Sequence, residues 1–224
     1  MCGITGKLYF DINRKVSLNE LKDMTNVIRH RGPDDEGHFL DNNLGLGFRR
    51  LSIIDLKLGH QPLCDNSERY WITFNGEIYN YIELKEMLFK KGYVFKTNSD
   101  TEVIVNLYAE FKENCLEYLR GMFAFVIYDQ KKQEVFCARD RAGVKPFFYY
   151  WKDNLLLFGS ELKAFHQHPQ FQKEINLDAV AAFMQYGNVP TPHCIFKNCF
   201  KLKPGYFLRF DLQQKTIKEK QYWS

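Results

Sequence analysis

Between Gly121 and Tyr128 the chain reads GMFAFVIY, an almost unbroken apolar run. A run this short falls well below the ~20 residues that a membrane span needs. It suits a strand covered on both faces, so the rest of the chain has to supply two apolar layers around it. Tyr70 to Phe74 (YWITF) is a second strand by its aromatic and β-branched content, and it is expected to stop at the turn dipeptide Asn75-Gly76. Val135–Arg139, Pro146–Trp151 and Leu155–Phe158 continue the series with short turns between them. Short turns fit antiparallel meanders and not parallel βαβ units. Strands are also expected over 3–10, 36–41, 44–49 and 205–210, with Arg50 to Asp55 running from a strand end into a loop.

Helical spacing appears between these runs. Ser17 opens a capping-box pattern with Glu20, and Leu18, Leu21, Met24, Val27 and Ile28 predict an amphipathic helix over 18–30. Asn80 and Glu83 open a helix through Lys91, with Ile82, Leu84, Met87 and Leu88 on its apolar side. A further helix is expected over 101–113, a short one over 162–166, and one from Leu177 to Tyr186 capped by Asn176 and closed by Gly187. Doubly buried strands with amphipathic helices give an α+β chain of stacked sheets covered by helices. No linker splits the sequence, so residues 1–224 are expected to form one domain.

Composition narrows the function. The 31 basic and 27 acidic residues leave a net charge of +4, and the basic pairs Lys90-Lys91 and Lys131-Lys132 are short and scattered. No basic arm or stripe suits a nucleic acid, and no segment suits a membrane. Cys2, Cys64, Cys115, Cys137, Cys194 and Cys199 form no C-x-x-C, and no signal peptide precedes them. The expectation is a reducing, cytoplasmic setting with most thiols buried as small hydrophobes. Cys194 and Cys199 lack a second ligand pair for zinc. His166-x-His168 stands alone and reads as surface. No dinucleotide loop, P-loop or H-E-x-x-H is present, so neither a metal nor a cofactor is expected in this domain.

The candidate chemistry begins at Cys2. If Met1 is removed, one residue carries a thiol and a free α-amine. An amine of pKa about 7.7 to 8.0 can take the proton of a thiol of about 8.5 near neutral pH. N-terminal nucleophiles of this kind are a variant of triad logic. Read alone, Cys2 is better taken as a small residue after the initiator. Asn75-Gly76-Glu77 follows a strand and could present an amide and a backbone N–H to one point, as an oxyanion hole requires, or could be an ordinary turn. Arg50 could clamp a carboxylate or form a surface ion pair. Asp100 could accept from an ammonium group or cap a helix.

Taken together, these segments resemble the class II glutamine amidotransferases, which are N-terminal-nucleophile hydrolases. More narrowly, the chain resembles the glutaminase domain of glutamine-hydrolysing asparagine synthetases. The matching segments include CGITG at 2–6, RHRGPDDEG at 29–37, RRLSIIDLKLGHQPL at 49–63, FNGEIYNYIEL at 74–84 and SDTEVI at 99–104. ARDRAGVKPFFYY at 138–150, GSELKAF at 159–165 and KLKPGYFLRF at 201–210 favour the asparagine synthetase branch. The resemblance implies a four-layer αββα sandwich of two antiparallel sheets. It implies Cys2 as nucleophile, Asn75 and Gly76 as oxyanion hole, and Arg50 on the α-carboxylate of L-glutamine. Asp100 and Glu77 would bind the α-ammonium, and the Ile54 main chain would add a hydrogen bond. No role follows for Arg31-Gly32-Pro33-Asp34 beyond shaping a loop. The partner implied is a synthetase domain or subunit receiving ammonia, which would use ATP and magnesium; its S-G-G-x-D-S loop does not occur in this sequence. A homodimer is one assembly this reading admits. The alternatives are a non-catalytic binding relic of the domain and an amidotransferase serving a sugar or peptide acceptor.

Overall fold

The computed structural model describes residues 1–52, 55, 58–214 and 216–224. Two six-stranded antiparallel sheets form its centre. The first holds β1 (Gly3–Tyr9), β2 (Asp35–Asp41), β3 (Leu44–Arg50), β8 (Phe148–Lys152), β9 (Leu155–Gly159) and β10 (Cys199–Lys201), in the order β10-β8-β9-β1-β3-β2. The second holds β4 (Leu63–Cys64), β5 (Tyr70–Ile78), β6 (Gly121–Asp129), β7 (Glu134–Arg139), β11 (Tyr206–Asp211) and β12 (Thr216–Gln221), in the order β12-β11-β7-β6-β5-β4.

Period-two alternation sorts each strand into two layers of core. On β6, Phe123, Phe125 and Ile127 pack outward with Val103, Ile104 and Leu107 of α3 (Asp100–Phe111) and Leu84 and Leu88 of α2 (Tyr81–Lys90). Ala124, Val126 and Tyr128 point the other way, into a cluster shared with Ile4, Leu8, Leu46, Phe48 and Phe158 of the first sheet. The GMFAFVIY run is therefore covered on both faces, as its composition requires. On the far side of the first sheet, Met24 of α1 (Leu18–Asn26) packs with Leu155, Leu157 and Phe165, the last from a 3-10 turn over Leu162–Gln167. The layers run helix, sheet, sheet, helix: the four-layer αββα sandwich.

Several boundaries differ from those the sequence suggests. β5 does not stop at Asn75-Gly76. It continues to Ile78, because every residue from Tyr70 to Ile78 pairs with β6. A complete ladder outweighs the turn preference of one dipeptide. Helix α1 ends at Asn26, and a 3-10 turn over Arg29–Arg31 takes the remainder of the expected helix. Ser17 sits at the N-cap without a side-chain cap bond, and Glu20 instead meets the fully buried Lys7 ammonium. Ile82, placed on the apolar side of α2, is exposed. A short helix α4 (Cys115–Tyr118) and the edge strand β12 were not anticipated. α5 (Leu177–Tyr186) matches its expected bounds, capped by Asn176 and closed by a left-handed Gly187.

His168 is not a surface residue. Its ring is buried against the Tyr9 hydroxyl at 3.0 Å, and burial lowers its pKa to about 4. All six cysteines are free, and Cys115, Cys137, Cys194 and Cys199 are buried. Among the described residues no helix is long and apolar enough to cross a membrane.

Candidate active site

Strand β1 carries Cys2 to the space between the sheets. Ile4 and Leu8 alternate into the inter-sheet core, and Cys2 packs against the same cluster. The Leu51 N–H donates to Cys2 Sγ at 3.4 Å, and the thiol lies 3.6 Å from the Leu51 carbonyl oxygen. Burial pushes the Cys2 thiol pKa up. The Leu51 contact, the N-terminal charge and Arg50 act against this rise, while Asp100 adds to it.

Strand β5 carries Asn75 toward the same space. Ile72, Phe74 and Ile78 face α2 and α3, so Trp71, Thr73, Asn75 and Glu77 share the opposite side of the strand. Asn75 is 1% exposed, and neither its Nδ2 nor its Oδ1 has a hydrogen-bond partner among the described residues. An unpaired buried amide costs about 1–3 kcal/mol, and native proteins rarely tolerate one without a functional reason. Gly76 is required by close approach: a Cβ there would lie 2.2 Å from the Met122 carbonyl oxygen.

Arg50 ends β3, is buried, and donates to the Asp55 carbonyl oxygen at 2.5 Å. Asp100 is the first residue of α3 and not its cap. Ser99 takes the cap position, accepting from the Glu102 N–H. That leaves the Asp100 carboxylate free to face inward, where it accepts from the Ile78 N–H at 3.1 Å. Burial raises the Asp100 pKa to about 6; backbone hydrogen bonds partly offset this, and Glu77 adds to it.

Cys2, Arg50, Asn75, Gly76, Glu77 and Asp100 line one cavity of about 200 Å³. The residues singled out in the sequence are thus brought together, from strands in two different sheets and one helix. Ile54 lies outside the described residues. The cavity offers two cations, Arg50 and Lys145, two carboxylates, Glu77 and Asp100, a thiol and an unpartnered amide. Charges of both signs around one small cavity suit a zwitterionic ligand.

The sequence reading missed several residues that build this cavity. Gln61 is buried in the wall: its Oε1 accepts from the Phe74 N–H at 2.7 Å and its Nε2 donates to Thr101 Oγ1 at 3.1 Å. Its signal was the polar Gln61-Pro62 inside a matching segment. Lys145, also buried and lining the cavity, sits in the GVKP motif. The Arg31-Gly32-Pro33-Asp34 motif does more than shape a loop. Arg31 Nε donates to the Cys2 carbonyl oxygen at 3.0 Å, and Asp34 Oδ2 accepts from the Ser52 N–H at 2.8 Å, next to the Leu51 that holds the thiol. Gly32 lies so close to β3 that a Cβ would sit 2.4 Å from the Arg49 carbonyl carbon. Gly32→Ala should therefore lower stability by about 1–3 kcal/mol, measured by urea denaturation.

Two antiparallel sheets between helices, with a cysteine entering on a central strand, form a fold that solved amidotransferase structures share. The chain belongs to the glutamine amidotransferase domain family, whose model matches residues 1–223. It is 43% identical over 244 residues to a putative glutamine-hydrolysing asparagine synthetase 2 of Methanocaldococcus jannaschii, an alignment covering 100% of this chain and 46% of that protein. It is 44% identical over 207 residues to glutamine-hydrolysing asparagine synthetase 1 of Bacillus subtilis, covering 92% of this chain and 33% of that protein. The chain thus spans half or less of the length of these curated relatives. Among solved structures, glutamine phosphoribosylpyrophosphate amidotransferase from B. subtilis matches with a TM-score of 0.68 at 19% identity, over 99% of this chain and 49% of that one. The allosteric regulatory enzyme of purine biosynthesis matches with a TM-score of 0.71 at 18% identity, again over 99% of this chain and 49% of that one. These two likenesses establish the fold.

Proposed function

We propose that this domain hydrolyses L-glutamine to glutamate and ammonia through a thioester on Cys2. Removal of Met1, which is 60% exposed, frees the Cys2 α-amine. The amine takes the thiol proton, and Sγ attacks the side-chain carbonyl of glutamine. The oxyanion is held by Asn75 Nδ2 and the Gly76 N–H. The amine returns its proton to the leaving nitrogen, ammonia departs, and water then cleaves the γ-glutamyl thioester. Arg50 takes the substrate carboxylate, Asp100 and Glu77 its ammonium, and the Ile54 main chain one further hydrogen bond.

The observation that carries this reading is the buried, unpartnered Asn75 amide in the cavity that Cys2 lines. A domain kept only for binding has no need to bear the cost of that orphaned group. In the complete protein the ammonia passes to a synthetase domain or subunit that amidates aspartate with ATP and magnesium. The asparagine product is what the relatives' names state; aspartate, ATP and magnesium are what the family resemblance implies.

The test is glutamate release by the purified chain after intact mass shows Met1 removed. Release supports the reading; fully processed protein that releases none overturns it. Asn75→Ala should lower kcat about 10²–10³-fold with no loss of melting temperature, since the amide gives up no protein partner.

A further inference from the structure

The GSELKAF segment contributes no side chain to the proposed chemistry, yet it grips the start of the chain. Ser160 is buried and pairs with Ile4 in both directions: the Ile4 N–H donates to Ser160 Oγ at 3.1 Å, and the Ser160 N–H donates to the Ile4 carbonyl oxygen at 2.9 Å. The neighbouring Glu161 accepts from Arg31 Nη1 at 3.1 Å. Arg31, with its side chain only 10% exposed, turns its Nε to the Cys2 carbonyl oxygen at 3.0 Å. His30 at 2.8 Å and Lys163 at 3.0 Å hold Glu161 from the outside. Burial pushes its carboxyl up, but hydrogen bonds from Lys163, His30 and Arg31 outweigh this and keep it below the usual range.

An ion pair at a surface is usually worth little. This one stands where it matters, because a nucleophile on the first residue is tethered on one side only. β1 begins at Gly3, which pairs with Arg49, so Cys2 lies just outside the ladder. Its own carbonyl is then the backbone handle by which its Cα can be fixed. The flat guanidinium of Arg31 can hold that handle at one angle only if its other edge is anchored, and Glu161 is that anchor.

We propose that Glu161 is a positioning residue for Cys2, acting through Arg31 on the Cys2 carbonyl. The inference deepens the glutaminase reading and rests on it. A displacement of about 1 Å at a reacting atom can cost as much as 100-fold in rate.

The test compares Glu161→Ala, Glu161→Gln and the unaltered chain by three measurements: glutamine kinetics, melting temperature, and the rate at which iodoacetamide alkylates Cys2, read by peptide mass spectrometry. Glu161→Ala should lower kcat about ten- to 100-fold with KM changed less than about twofold. Its melting temperature should stay within about 3 °C, the scale of a surface pair. Glu161→Gln keeps an oxygen for Arg31 and should recover part of kcat. An unchanged kcat, or a loss matched by melting, would overturn the proposal. If the unaltered chain hydrolyses no glutamine, the functional reading fails separately. The Cys2 alkylation rate then decides: a changed rate in Glu161→Ala upholds the positioning role, and equal rates refute it.

Discussion

Cys2→Ala should abolish glutamate release from glutamine and leave the fold intact. The loss should be on the order of 10³-fold or more, because no other group in the cavity can form the thioester. The structural cost should be small. Cys2 gives up only the long sulfur contacts to Leu51, at 3.4 and 3.6 Å, and lies at the edge of the inter-sheet cluster. Melting temperature and circular dichroism should match the unaltered chain. A chain that keeps Met1 should be equally inactive despite an intact thiol, because an amine tied into a peptide bond cannot take the proton. Glutamate release from purified Cys2→Ala, or from a chain shown by mass to retain Met1, would refute the assignment of nucleophile or base respectively.

Asp100→Asn should stabilise the domain and impair it. The folded state holds the Asp100 carboxyl at a pKa of about 6, above its value in the unfolded chain. Between about pH 4 and 6 the folded protein therefore binds more protons than the unfolded one, so this residue makes stability fall as pH rises through that window. At pH 7 the buried charge costs on the order of 2–3 kcal/mol, and asparagine removes that cost while keeping an oxygen for the Ile78 N–H. The melting temperature of Asp100→Asn should exceed that of the unaltered chain at pH 7, and the difference should close near pH 4. Substrate binding runs the other way. An ammonium needs the ionised carboxylate, so KM for glutamine should rise roughly tenfold from pH 7 to pH 5 as Asp100 protonates. Asp100→Asn should show a high KM that no longer follows pH. Equal melting curves at pH 7, or an unchanged KM, would remove Asp100 from the ammonium site.

Both results turn on burial, which local sequence shows unevenly. The unbroken apolar run GMFAFVIY announced a doubly covered strand, and the helical spacing of Val103, Ile104 and Leu107 announced the layer that covers it. Asp100 carried no such mark. Ser99-Asp100 opens a helix equally well with either residue as cap, and the choice depends on Ile78 offering its N–H from a strand 22 residues away. The Asn75-Gly76 pair misled in the same way. Its turn preference is worth at most about 1 kcal/mol, whereas the β5–β6 ladder runs unbroken past it to Ile78. His166-x-His168 read as surface because the pair stands alone as a ligand motif, yet the 3-10 turn that holds His166 ends at His168 and tucks it against Tyr9.

The sequence alone determined the strand and helix alternation and the antiparallel character, because each follows from periodicity or turn length within a few positions, and it singled out Cys2 as nucleophile only through a resemblance carried by segments along the whole chain. Only the tertiary structure decided that Asn75 shares a cavity with Cys2 without a partner of its own, that Asp100 is buried beside Glu77, and that Glu161 meets Arg31, which holds the Cys2 carbonyl, from 130 residues along the chain. Those facts depend on which surfaces lose water when two sheets stack, and desolvation is set by the whole fold and not by neighbours in sequence.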